Sequence, residues 1–318
     1  MAKLLNLIRN EWMKLWHKKA TWIIVVMLVG ILIGVGGIMK WVQSTNEQPQ
    51  NQPTWEENQA ENQGFLKAQL ADPNIDATSK KQLEKELAIS EYRLDKNLEP
   101  MDPTGREQSV LDSHVMLSLV ILFSVIVAAS IVASEFSQGT IKMLLSRPVK
   151  RWKILTSKYL TTLLFAFLLT IIAFVSTMIA SYLFYDSSGG AILDYQNGSV
   201  VEVSYWGRVL VLYVLQFVGV IVYTTFAFMI GSVFRSSALA IGLSIFLLFV
   251  GPNIVFFLSK YEIAKYIIFT HTDLTGYITG NLFVPGMTWT LSLVVLTVYM
   301  FLFLVISFWS FTKRDVTA

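Results

Sequence analysis

Six apolar runs, at residues 21–41, 111–132, 158–184, 209–230, 238–257 and 289–310, hold almost no ionisable side chain. Each has about the ~20 residues that a helix needs to cross a hydrocarbon layer, where no water can satisfy an open backbone. Only helices, with their hydrogen bonds closed inside each run, suit six such segments in one chain. The expected fold is therefore an all-α integral membrane protein with six transmembrane helices. Composition agrees, since 54% of the 318 residues are hydrophobic and 15% are charged, against about 25% charged in soluble proteins.

Several function classes are disfavoured. A net charge of +3 is too small to suggest nucleic-acid binding, and cysteine is absent. The histidines, His17, His114 and His271, lie far apart; a site joining His114 and His271 to Asp112 or Asp273 is a remote reading, so no metal ligands are assigned. No glycine precedes a lysine, which removes the phosphate-binding loop of an ATPase. H-E-x-x-H and G-x-S-x-G are also missing, the nearest approach being Gly242-Leu-Ser244, so no catalytic residue is assigned. No ionisable residue falls near the middle of the spans, which argues against an ion-driven antiporter with a buried carboxylate relay.

The polar segments carry their own signals. Residues 1–20 set Leu4, Ile8, Trp12 and Leu15 on one helical face, which predicts an amphipathic helix lying at the membrane interface. Residues 42–110 form the one large polar insertion, expected as a helical hairpin outside the membrane, with a capping box at Ser79 to Gln82. In 185–208, Asn197-Gly198 between β-prone runs predicts a hairpin. Gly30 and Gly34 form a small-residue pair in the first span. Gln216 is polar within span four, and Gly251-Pro252-Asn253 is expected to interrupt span five; Gln216 and Asn253 are the candidate polar residues of a pathway. Residues 258–288 read as interfacial or re-entrant, with 231–237 a tight loop and 311–318 a tail. Basic residues gather in 1–20, in 133–157 and near Lys313, whereas the short loops of opposite face hold Arg208, Lys260 and Lys265. That asymmetry predicts both termini in the cytoplasm.

The loop at 133–157 concentrates charge between two apolar runs. It reads Glu135-Phe-Ser-Gln-Gly139-Thr140, then a ridge containing Leu144, then Pro148 and Lys150-Arg151. A flexible joint, a candidate cap and a basic C-terminal end suit a short helix. This order resembles the first cytoplasmic loop of type-2, export-type ABC transporter permeases. The resemblance implies a coupling helix that docks on a separate ATP-binding subunit, with Glu135, Gly139, Thr140, Leu144, Pro148 and Arg151 on the pattern. Lys158 matches a basic residue at the start of the next span, and Glu11, Trp12 and Lys14 fall in the family's N-terminal elbow helix. It further implies a second permease subunit, identical or homologous, a surrounding lipid bilayer, and ATP and Mg in the partner with no cofactor in this chain. A hydrophobic or amphipathic cargo, such as a peptide antibiotic, drug or lipid, and a bacterial cell membrane complete the expectation. A membrane enzyme, or a non-transporting sensor or scaffold subunit, is the alternative.

Overall fold

The computed structural model describes residues 2–45, 54–72, 75, 77–140, 149–196, 198–234, 236–280, 282, 284 and 286–313. Among these described residues, six helices are long and apolar enough to cross a membrane. They are α2 (Lys19–Thr45), α5 (Arg106–Asp112) continued by a 3-10 turn into α6 (Leu117–Ser137), α7 (Arg151–Phe184), α8 (Tyr205–Val233), α9 (Ser237–Leu258) and α11 (Trp289–Lys313). Before them lies α1 (Ala2–His17), with α3 (Trp55–Leu70) and α4 (Ala77–Asp95) in the insertion and α10 (Gly276–Thr279) in the segment before α11. The chain forms two compact units, one of residues 1–31, 115–175 and 214–318 and one of 32–114 and 176–213.

In the second unit, α3 opens with a capping box at Thr54. Its hydroxyl accepts from the Glu57 amide at 3.3 Å, and Glu57 accepts from the Thr54 amide at 2.9 Å. The box expected at Ser79 is a different matter, because α4 begins at Ala77 and encloses that position in its first turn. Gln59 and Ser90 join α3 to α4 at 2.8 Å over buried Leu66. The Asn197-Gly198 signal is followed by structure: β1 (Leu193–Gln196) pairs antiparallel with β2 (Ser199–Glu202), with Gln196 opposite Ser199. Close helix approach falls at Gly36, where an added Cβ would lie 3.0 Å from the Ala180 Cβ, and not at Gly30 or Gly34, which have nothing within 4 Å.

In the first unit α6 is the enclosed helix, with 61% of its most apolar stretch buried, against 11% for α2. Apolar side chains on both helices are equally suited to lipid, so enclosure here reflects position in the bundle rather than hydrophobicity. A core of Val222, Ile268, Leu274, Leu296 and Phe303 joins α8, the 258–288 segment and α11. That segment is two 3-10 turns, Glu262–Tyr266 and Ile268–His271, followed by α10. The expected interruption of span five is absent, since α9 runs through Pro252. Asn253 donates its side-chain amide to the Phe249 carbonyl at 2.6 Å, one residue past the Leu248 carbonyl whose helical donor the proline removes.

Candidate functional site

Three helices, α1, α6 and α7, converge on one buried ammonium in the first unit. α7 starts at Arg151, and its rise of about 1.5 Å per residue carries Lys158 roughly 10 Å past that start. Lys158 is 1% exposed, so its ammonium needs partners within the protein. Its Nζ donates to Glu11 Oε2 at 2.7 Å, to Glu135 Oε1 at 2.9 Å and to the Ile131 carbonyl at 3.2 Å. An ammonium has three donors, and all three are used.

The remaining oxygens are also engaged. Lys14 reaches Glu11 Oε1 at 3.1 Å and Glu135 Oε1 at 3.5 Å, so two carboxylates face two ammoniums and the cluster is neutral. Thr140 donates its hydroxyl to Glu135 Oε2, folding the start of the loop back onto the end of α6. Gly139 takes φ 71°, a left-handed conformation that glycine adopts without strain, which lets Thr140 turn back in this way. Lys18 lies beside the cluster, and its pKa is lowered by burial and then by Lys158, while Glu135 and Glu11 pull it the other way.

α1 is held against this cluster at its far end too. Thr21 donates to the Leu15 carbonyl at 2.6 Å and Trp22 Nε1 to the Trp16 carbonyl at 3.1 Å, so carbonyls left open where the helix stops have partners. Trp16 packs edge-on to Trp12 at 5.8 Å, to Trp22 at 5.1 Å and to Phe165 of α7 at 6.3 Å. Glu11 and Leu15 are buried on α1 and Leu4, Leu7, Ile8, Trp12 and Trp16 half-buried, whereas Arg9, Asn10 and Lys14 are exposed. Nearby, Arg151 donates to the Thr312 carbonyl of α11 at 3.3 Å and Phe136 meets Phe311 at 6.4 Å.

Of the residues singled out in sequence, Glu11, Lys14, Glu135, Thr140 and Lys158 thus meet in one network. Leu144 and Pro148 lie outside the described residues. Gln216 lines a cavity of about 380 Å³ in the same unit. Asn253 is exposed, bonded to its own helix and outside that lining, because its amide is turned to the carbonyl at position 249. His114 and His271 are both buried: His114 Nδ1 meets the Leu111 carbonyl at 2.7 Å, and both ring nitrogens of His271 have partners. Sequence reasoning missed the Ile131 carbonyl and the second role of Thr140; a lone lysine after Ile154-Leu155, in an apolar run, was the available sign that a buried counter-charge had to exist.

Six apolar helices with internal ion pairing define a multi-pass helical membrane protein. The chain belongs to the family described as a protein of unknown function (DUF2705), whose model matches residues 97–317. It is 37% identical over 319 residues, 98% of this chain and 99% of the relative, to the uncharacterized protein YhcI of Bacillus subtilis strain 168. It is also 30% identical over 202 residues, 61% of this chain and 76% of the relative, to the uncharacterized membrane protein YdbK of the same organism.

Proposed function

We propose that this chain is the membrane-spanning permease subunit of an ATP-driven exporter in a bacterial cell membrane, with both termini cytoplasmic. The observation that carries the reading is the Glu11, Glu135 and Lys158 cluster, which ties the N-terminal helix and the start of the proposed 133–157 coupling loop to one span. A push on that loop would move α1, α6 and α7 together, which is what a docking lever requires. The sequence has no phosphate loop of its own, so ATP and Mg belong to a separate ATP-binding subunit. A second permease subunit completes the pathway for a hydrophobic or amphipathic cargo.

Affinity purification from native membrane tests the partner directly: an ATP-binding subunit is expected with the wild-type chain. Leu144→Asp puts a charge into the presumed socket, and it should abolish partner binding and cargo-dependent ATP hydrolysis while membrane insertion persists. Gly139→Pro should break the linkage with insertion intact, since φ is then fixed far from 71°. Wild-type ATP hydrolysis by a well-inserted Leu144→Asp chain would refute the coupling role. A partner retained without any cargo-dependent hydrolysis would favour the sensor or scaffold alternative. For orientation, the chain's natural lack of cysteine lets Ser146→Cys and Ser79→Cys be compared in intact cells. An impermeant thiol reagent should label only Ser79→Cys.

A further inference from the structure

The cavity beside Gln216 has a chemistry of its own. Its walls come from α6, α8 and α9 and from the 258–288 segment, all within the first unit. Leu122, Leu248, Phe249 and Phe269 make the apolar part, and Gln216, Tyr223, Thr272 and Asp273 the polar part. Among the described residues of the lining, Asp273 is the one carboxylate and no lysine, arginine or histidine is present. Asp273 Oδ1 is fixed by the Thr275 amide at 2.9 Å and hydroxyl at 2.5 Å, while its other oxygen has no hydrogen bond among the described residues. Gln216 is partly buried on a membrane-spanning helix, and its amide likewise has no partner among the described residues. An amide in that position is costly unless something in the cavity bonds to it.

The wall that carries Asp273 is rigid. An added Cβ on Gly219 of α8 would lie 2.3 Å from the Thr272 carbonyl, and one on Gly251 of α9 would lie 2.7 Å from the Phe269 ring. The segment is therefore seated between two helices, its backbone against α8 and its Phe269 ring against α9. Tyr223 stacks on Phe269 at 5.9 Å and its hydroxyl is 3.4 Å from Thr272 Oγ1. A volume of about 380 Å³ falls in the ~300–1,000 Å³ range of small-molecule sites, which are mostly apolar with a few fixed polar groups.

We infer that this cavity binds a small amphipathic organic cation, its ammonium on Asp273 and Gln216 and its hydrocarbon body between Phe249, Phe269 and Leu122. Naming that molecule as cargo rests on the permease reading; binding itself does not. An anionic ligand is excluded by the unpaired carboxylate, and a bare ion by the apolar walls.

The test is calorimetric titration of the full chain in lipid nanodiscs with phenylbutylamine and, separately, its carboxylate counterpart phenylbutyrate, subtracting empty discs. Saturable binding of the amine alone is expected. Asp273→Asn should weaken it by about tenfold or more, Asp273→Glu should recover part, and Gln216→Leu should weaken it by several-fold. Equal binding of amine and carboxylate, amine uptake no greater than in empty discs, or unchanged affinity in Asp273→Asn would each overturn the inference. Saturable amine binding by a chain that recovers no ATP-binding subunit would sink the permease reading and leave the site standing. A recovered ATP-binding subunit with no amine binding would do the reverse.

Discussion

The Lys158 cluster and the Gln216 cavity both put polar groups into the first unit, yet they solve the problem of polarity in a membrane in opposite ways. Around Lys158 each donor has an acceptor and the charges cancel. Around Gln216 an amide and a carboxylate oxygen are left open beside apolar walls. A closed network holds helices in register, because opening it strands a charge. An open one leaves free energy available to something that enters. The difference separates a part that transmits position from a part that receives a molecule, and it turns on hydrogen-bond accounting rather than on residue type.

The largest effect should follow Lys158→Met, which takes the buried cation from between Glu11 and Glu135 and leaves them only the half-exposed Lys14. Breaking a buried pair by deleting one partner costs about 3–5 kcal/mol, so thermal unfolding in nanodiscs should fall steeply or the chain should fail to accumulate. Neutralising the neighbours as well, with Glu11→Gln and Glu135→Gln, should regain most of that loss. Full stability of the Lys158→Met single variant would mean that the cluster is not closed.

Gln216→Leu should act with the opposite sign. Removing an unpartnered amide from a span should raise stability by roughly 1 kcal/mol in the absence of ligand, measured by the same unfolding assay. A loss of stability would show that the amide has an internal partner, and the contrast between the two regions would collapse.

How much of this could be read from the sequence follows from the range of the interactions. The spans and the Asn197-Gly198 hairpin rest on contiguous residues and were legible. Glu11, Glu135 and Lys158 were each singled out, but their meeting joins positions 147 and 23 residues apart, for which no local pattern exists. Pro252 misled because a proline usually ends a helix, whereas α9 continues through it with only the Leu248 carbonyl losing its helical donor. His271 sits between two threonines and near Asp273, a polar run that reads as surface; its burial comes from Ser292 on a different helix.

His271 offers a pH-dependent comparison with the charged cluster. The Lys265 carbonyl can only accept, so His271 Nε2 donates to it at 2.9 Å and Nδ1 accepts from Ser292 at 2.8 Å. Tyr277 then donates to Ser292 at 2.6 Å. Burial pushes the imidazole pKa below its ordinary 6.5. The unfolded chain therefore takes up the proton first, so stability from neutral His271 is complete above 6.5 and is lost as pH falls below it. Amide hydrogen exchange, corrected for intrinsic rates, should quicken across residues 262–279 between about pH 7.5 and about pH 5.5, and His271→Gln should remove the difference. Protection that does not change with pH in the wild type would show that Nδ1 is not an obligate acceptor.

The smallest effect belongs to an ion pair of the same kind as the cluster but in water. Lys67 and Glu91 join α3 to α4 at 3.2 Å, with side chains 56% and 53% exposed. Water screens that attraction, and holding two long side chains together costs entropy, so a double-mutant cycle with alanine should give less than about 1 kcal/mol. The coupling should shrink further as salt rises, since the screening length is only about 8 Å at physiological ionic strength. The same cycle on Glu11 and Lys158, at 2.7 Å and almost without exposure, should give a larger value with little response to salt. Similar coupling and similar salt dependence for the two pairs would mean that water reaches Lys158 freely, and the cluster would then be a surface contact rather than a joint between helices.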